Sequence, residues 1–186
     1  ARRAVEHTLV RAFALVGLGM LFSIGEHRFG LGDGGTPWGT LQSIGAAIVL
    51  ALPSLWLPAP WRLAAAVAGL AGYQLLLDAF WLPEVVASNN AGLQGSLSWA
   101  LLLVLATAFG DLHTDQRRGW FFATAVALLA AGIVAGRWIP VSKHRMSSSF
   151  VLIVAGCPGL VFLLFDVTKG WLRGGGDIVL FVGQGK

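Results

Sequence analysis

Charge is what this sequence has least of. Asp, Glu, Lys and Arg make up 12% of its 186 residues, against about 25% in ordinary soluble domains. With so few charged side chains a globule's surface stays uncovered, which excludes a soluble enzyme, a disordered chain and a nucleic-acid-binding module. The basic balance, Lys+Arg 13 against Asp+Glu 9 and a pI near 10.0, does not alter that. Cysteine is nearly absent too: the single Cys157 excludes a disulfide framework and any multi-cysteine metal site. Set in an apolar run, Cys157 reads as a small buried residue. The sequence shows no secretory signal peptide, internal repeat or low-complexity tract.

What is present is apolar: the AVILMFWYC set reaches 56%, the composition of an integral membrane protein. A bilayer core of about 30 Å takes roughly 20 residues of helix. Six segments meet or approach that length: Leu9–Ile24, Trp38–Leu57, Trp61–Leu82, Leu93–Leu112, Trp120–Trp138 and Ser148–Val167. Ile178–Val182 is too short to span and reads as the start of a truncated seventh. Runs such as Leu101–Leu105 and Val151–Val154 lack the alternation of a β-barrel strand. The expected fold is all-α: one polytopic transmembrane helical bundle over residues 1–186, about six spans plus the seventh. Pro53 and Pro158 should kink or end helices. The pairs Gly17 and Gly19, and Gly69 and Gly72, suit close helix approach.

Tryptophan prefers the headgroup level, and Trp38, Trp56, Trp61, Trp81, Trp120, Trp138 and Trp171 fall near span ends, leaving Trp99 inside. Counting loops alternately, one side carries Arg2, Arg3, Arg11, Arg62, Arg117, Arg118, Lys169 and Arg173. The other carries Arg28, Arg137, Lys143 and Arg145. The richer side is cytoplasmic by the positive-inside rule, so the N-terminus is expected there. Arg137–Ser149 retains positive charge against that trend, as a loop would if it used the charge.

Polar residues inside spans are functional suspects. Gln74 and Asp78 stand four apart on one helix face, a pattern that serves either a site or an inter-helix hydrogen bond. Gln42 opens a span, and Asp166 reads as a cap or a partner of Lys169. His7, His27, His113 and His144 lack metal-site spacing and triad partners; as loop residues each is expected to be solvated, with His144 in the most suggestive setting. Gly34-Gly35-Thr36-Pro37 and Gly174-Gly175-Gly176-Asp177 lack the P-loop Lys-Ser/Thr ending and read as turns. Arg117-Arg118 suits acidic lipid headgroups or cofactor phosphates.

Four stretches together resemble the heparan-alpha-glucosaminide N-acetyltransferase-like membrane acyltransferases and their bacterial relatives. The best runs Trp138-Ile139-Pro140-Val141-Ser142-Lys143-His144-Arg145-Met146-Ser147-Ser148-Ser149-Phe150. Pro140, Lys143, Ser149 and Phe150 match the family pattern; Ser142, Met146 and Ser147 replace its commonest Asn, Trp and Thr. In Gly39-Thr40-Leu41-Gln42-Ser43-Ile44, Gly39, Leu41, Gln42 and Ile44 match while Ser43 replaces an arginine. Arg2-Arg3-Ala4 and Gly95-Ser96-Leu97-Ser98 complete the set in the family's order.

The resemblance implies transfer of an acetyl or other acyl group from cytosolic acyl-CoA to an extracytoplasmic sugar. Gln42, Asp78, Lys143, Ser147 and Ser149 would face the acceptor, and Arg62, Arg117 and Arg118 the phosphates of acetyl-CoA or another acyl-CoA. The family's catalytic histidine precedes the Arg-Arg pair, so the chain is expected to be the central part of the fold, in a bacterial cytoplasmic membrane. No metal is implied. The alternative is a non-catalytic transmembrane accessory subunit of a larger membrane complex, an electron-transfer or pigment assembly for example. Besides the lipid bilayer, the expected partners are copies of itself or that complex. A transporter would call for more intramembrane charge and an inverted repeat.

Overall fold

A computed structural model describes residues 2–28, 38–88, 91–114 and 118–174. Among these the chain is helical, without strands. Seven α-helices follow in order: α1 (Arg2–Arg28), α2 (Thr40–Ala51), α3 (Ala59–Leu76), α4 (Leu82–Ala87), α5 (Gly92–Thr114), α6 (Arg118–Ala135) and α7 (Ser148–Gly174). A π-helical turn, Leu77–Trp81, joins α3 to α4 without a break in the helix.

Among the described residues three helices are long and apolar enough to cross a membrane: Arg3–Glu26, Ala59–Ala87 and Gly92–His113. Thr40–Trp56, Gly119–Ala135 and Ser148–Phe162 are apolar but shorter. Pro53 accounts for one of these. Lacking an N–H and crowding the preceding turn, it sits where α2 gives way to a 3-10 turn at Leu52–Trp56. Pro158 instead lies inside an unbroken α7, the carbonyl of Val154 losing its usual donor.

α5 is the hub. It packs against α2 and α3 on one side and α7 and α6 on the other, while α1 lies against α2. Leu70, Tyr73, Leu77, Leu105, Met146 and Val151, all nearly inaccessible, form the centre of the core. Small residues set the closest crossings. A Cβ on Gly156 would stand 2.7 Å from the Ala125 carbonyl oxygen, one on Gly132 would stand 2.8 Å from the backbone of Ile153, and one on Gly45 would stand 2.6 Å from the Ala12 carbonyl oxygen. Gly19 and Gly69 are likewise filled against, by Gln42 and Leu101, as their spacing suggests. Gly17 and Gly72 have open space around them, so only one member of each pair makes a close contact.

Large apolar side chains cover the outside, among them Phe13, Leu21, Phe22, Leu75 and Phe80. Trp56, Trp61, Trp120 and Trp138 are exposed near helix ends, whereas Trp38 and Trp81 are half-buried. Cys157 corrects the sequence reading: it is exposed, not buried. It lies in a stripe with Ile153, Val161 and Phe165 on the outer face of α7. An apolar run fixes that a helix avoids water, but not which of its faces meets other protein. Asp177 and Ile178–Val182 lie outside the described residues, as does Gly34-Gly35-Thr36-Pro37.

Candidate functional site

The helices alternate in direction, so their polar residues collect at two ends. The richer end holds the C-terminus of α1, the start of α2, the α3–α4 junction and the starts of α5 and α7. Gln42 is buried there, 1% exposed. Its side-chain carbonyl accepts the Gly39 backbone N–H at 3.0 Å, one half of a capping box. Its amide donates to Ser23 Oγ at 3.2 Å, tying α2 to α1. Gly19 leaves room for that amide; a Cβ there would come within 2.4 Å of Gln42 Oε1.

Beside it, the Trp38 indole N–H is shared between Ser43 Oγ at 3.0 Å and Ser96 Oγ at 3.2 Å. Ser96 and Ser98 are two residues apart on α5, hence about 200° apart around the helix. They therefore serve opposite neighbours. Ser96 accepts from Trp38 next to α2, and Ser98 donates to the Met146 carbonyl at 2.8 Å, just ahead of α7.

A second network seats the Trp138–Ser147 loop. Tyr73 donates its hydroxyl to the Arg145 carbonyl at 2.9 Å. Ser148 donates its N–H to Gln74 Oε1 at 3.2 Å and its hydroxyl to the Leu70 carbonyl at 2.6 Å. The Gln74 amide in turn donates to both Asp78 carboxylate oxygens, at 3.0 and 3.1 Å. Ser147 Oγ accepts the Ser142 N–H at 3.1 Å and lies 3.1 Å from Ser149 Oγ. Ser149 also donates to the Ile139 carbonyl at 3.1 Å. The loop is thus closed on itself and fastened to α3 and α5. Met146, at its end, has φ 48°, the left-handed region that few non-glycine residues enter; its fully buried side chain anchors it there. Lys143 and His144 stay exposed, His144 Nε2 lying 3.1 Å from the Val86 carbonyl.

At the opposite end an ion pair joins α3 to α5. Arg62 on α3 is 4% exposed and pairs with Asp111 on α5, whose side chain is half exposed. Its Nε is buried without a hydrogen-bond partner. Arg118 is the first residue of α6, and Arg117 lies outside the described residues.

The structure therefore brings Asp78 close to Ser147 and Ser149 through Gln74 and Ser148, and sets Gln42 in the neighbouring network around Trp38. Gln42, Ser147 and Ser149 have internal hydrogen-bond partners, and Lys143 and Asp78 keep exposed positions. The sequence reading missed Tyr73, Ser98 and Ser148 as loop fasteners, and the Arg62–Asp111 pair. Of these only the Ser96-Leu97-Ser98 spacing on a helix gave a signal. Among the described residues, no three His, Cys, Asp or Glu side chains come together as a metal site. The chain matches no protein-family model, no curated protein and no solved structure.

Proposed function

We propose that the chain is part of a polytopic acyltransferase-like membrane protein that passes an acyl group from cytosolic acyl-CoA to an extracytoplasmic sugar. One observation carries the reading: hydroxyl and amide groups gather at one end of the helices and a buried arginine at the other. Such a division suits a polar acceptor and a polyanionic donor approaching from opposite faces. In this reading the six apolar helical segments all cross the bilayer, the N-terminus is cytoplasmic, and Arg62, Arg117 and Arg118 lie on the donor side. Asp78, Lys143 and the serines around Ser147 line the acceptor side. A histidine supplied from outside these residues would take the acceptor's proton during transfer.

Acetyl-CoA binding by the full-length protein in detergent tests the proposal. Arg118→Ala should weaken that binding, while Lys143→Ala should spare it and lower transfer to the sugar. No binding by the full-length protein would sink the reading.

A non-catalytic accessory subunit is the second reading. It is favoured by the internal engagement of Gln42, Ser147 and Ser149, and by the uncovered apolar face of α1, where Phe13 and Leu21 are 64% and 67% exposed. Co-purification from native membranes with a partner that shields those two residues from labelling would favour it over the enzyme.

A further inference from the structure

The first turns of α1 carry a basic ridge. Arg3, His7 and Arg11 recur at intervals of four, and all three are exposed. Four residues bring a helix back to nearly the same side, so the three stack in successive turns. Ala12 marks the other side: it is fully buried, and a Cβ on Gly45 of α2 would stand 2.6 Å from its carbonyl oxygen. At about 100° per residue, Arg3, His7 and Arg11 are turned roughly 100–180° away from that contact. The ridge therefore faces away from the bundle. Leu18 and Phe22, 51% and 66% exposed, continue it along the helix.

Two features call for a counter-charge there. Arg11 is set inside a helix able to cross a membrane, Arg3–Glu26. Residues 12–25 carry no charge, and they rise only about 21 Å against a hydrocarbon core of about 30 Å. Arg11 thus starts below the headgroups, where an unpaired guanidinium is costly. Its Cβ tilts toward the start of the helix, and its long stem carries the charge the same way, toward His7 and Arg3. The chain itself supplies no partner: among the described residues, no hydrogen bond or ion pair engages the side chains of Arg3, His7 or Arg11. Glu6, the only acidic residue of α1 ahead of Glu26, lies about 100° round the helix from His7.

We propose that this ridge binds an anionic glycerophospholipid, its phosphate held between Arg3 and Arg11 and an acyl chain laid along Leu18 and Phe22. The proposal rests on the reading that α1 crosses the bilayer, and not on acyl transfer. All glycerophospholipids offer a phosphate, and charge decides among them. A phosphatidylcholine brings its own cation to a ridge that already holds two arginines, whereas a phosphatidylglycerol brings none. The apolar half of the ridge gives little preference of its own within a bilayer. Selection therefore lies in the headgroup.

The full-length protein in phosphatidylcholine nanodiscs tests this, doped with equal small fractions of phosphatidylglycerol or phosphatidylcholine carrying the same chain diazirine. After photolysis, labels mapped by mass spectrometry should fall on residues 14–22 about tenfold more often from the phosphatidylglycerol probe. Arg11→Gln should cut that excess about fivefold, the effect of one basic residue near a membrane surface, and Arg11→Lys should keep most of it. Arg3→Gln combined with Arg11→Gln should bring the two probes level. Arg28→Gln, at the far end of α1, should leave the excess unchanged, and millimolar inorganic phosphate should not displace the lipid. These side chains are exposed, so the variants should keep the parent's thermal midpoint. Equal labelling by the two probes in the unmodified protein would overturn the proposal while leaving α1 in the bilayer. Labelling of residues 14–22 by neither probe would overturn both. An excess that survives the double variant, or one that free phosphate removes, would also overturn the proposal.

Discussion

The side-chain carbonyl of Gln74 accepts the backbone N–H of Ser148, 74 positions along the chain. One amide thereby satisfies an N–H in the first turn of α7, a group without an intrahelical partner, and with its other end holds Asp78. Gln74→Leu leaves the buried N–H orphaned and should cost about 1–3 kcal/mol of stability. The unfolding midpoint in detergent checks this; a midpoint equal to the parent's would refute the role.

Arg62 and Asp111 should behave non-additively. Asp111→Ala strands a buried guanidinium, for which losses of about 3–5 kcal/mol are usual. Replacing both, as Arg62→Met with Asp111→Leu, should recover most of the loss. A double-mutant cycle measures the coupling, and simple additivity would mean the pair is too hydrated to matter.

The loop before α7 should loosen when its fasteners go. Tyr73→Phe and Ser98→Ala each remove one hydrogen bond to a loop carbonyl, worth about 0.5–1.5 kcal/mol. Hydrogen exchange over residues 142–147 should quicken in both variants while exchange in α2 is unchanged. Exchange as slow as the parent's would show that the buried Met146 side chain holds the loop without them.

Glycine contacts give a graded series. Gly156→Val drives a branched side chain into the backbone of Ala125 and Leu129 and should separate α6 from α7, at a cost of several kcal/mol. Gly19→Ala meets only the end of the flexible Gln42 side chain and should cost about 1 kcal/mol through the lost cap. Gly17→Ala, with nothing nearby, should be neutral or stabilising. Thermal midpoints of the three variants test that order.

Lys143→Ala should leave stability within about 0.5 kcal/mol, because the side chain is exposed. Its effect on transfer activity then isolates function from folding, which Ser149→Ala, buried and doubly bonded, cannot do.

The helical architecture was legible because apolar runs of span length have few other solutions, and α2, α3 and α6 each begin near a tryptophan, Trp38, Trp61 and Trp120. Gln74 with Asp78 was legible for the same reason that any i,i+4 pair is. Facing was not. Cys157 and Leu105 sit in equally apolar surroundings, yet one points outward and the other into the core. Membrane-type helices carry little polar contrast between faces, so the period that betrays a buried side in soluble proteins is faint here. Contacts between distant residues, Arg62 with Asp111 or Tyr73 with Arg145, left no mark because neither member alone indicates its partner.

The π-helical turn at Leu77–Trp81 has a consequence for which length changes the chain can absorb. Such a turn accommodates one residue more than an α-helix would over the same rise. Deleting Ala79, an exposed residue within it, would return the segment to α pitch with Val85 and Val86 still facing as they do. The same deletion one turn earlier in α3 would swing everything beyond it by about 100°. Excision is therefore expected to be tolerated at Leu77–Trp81 and rejected at Gly72–Leu76.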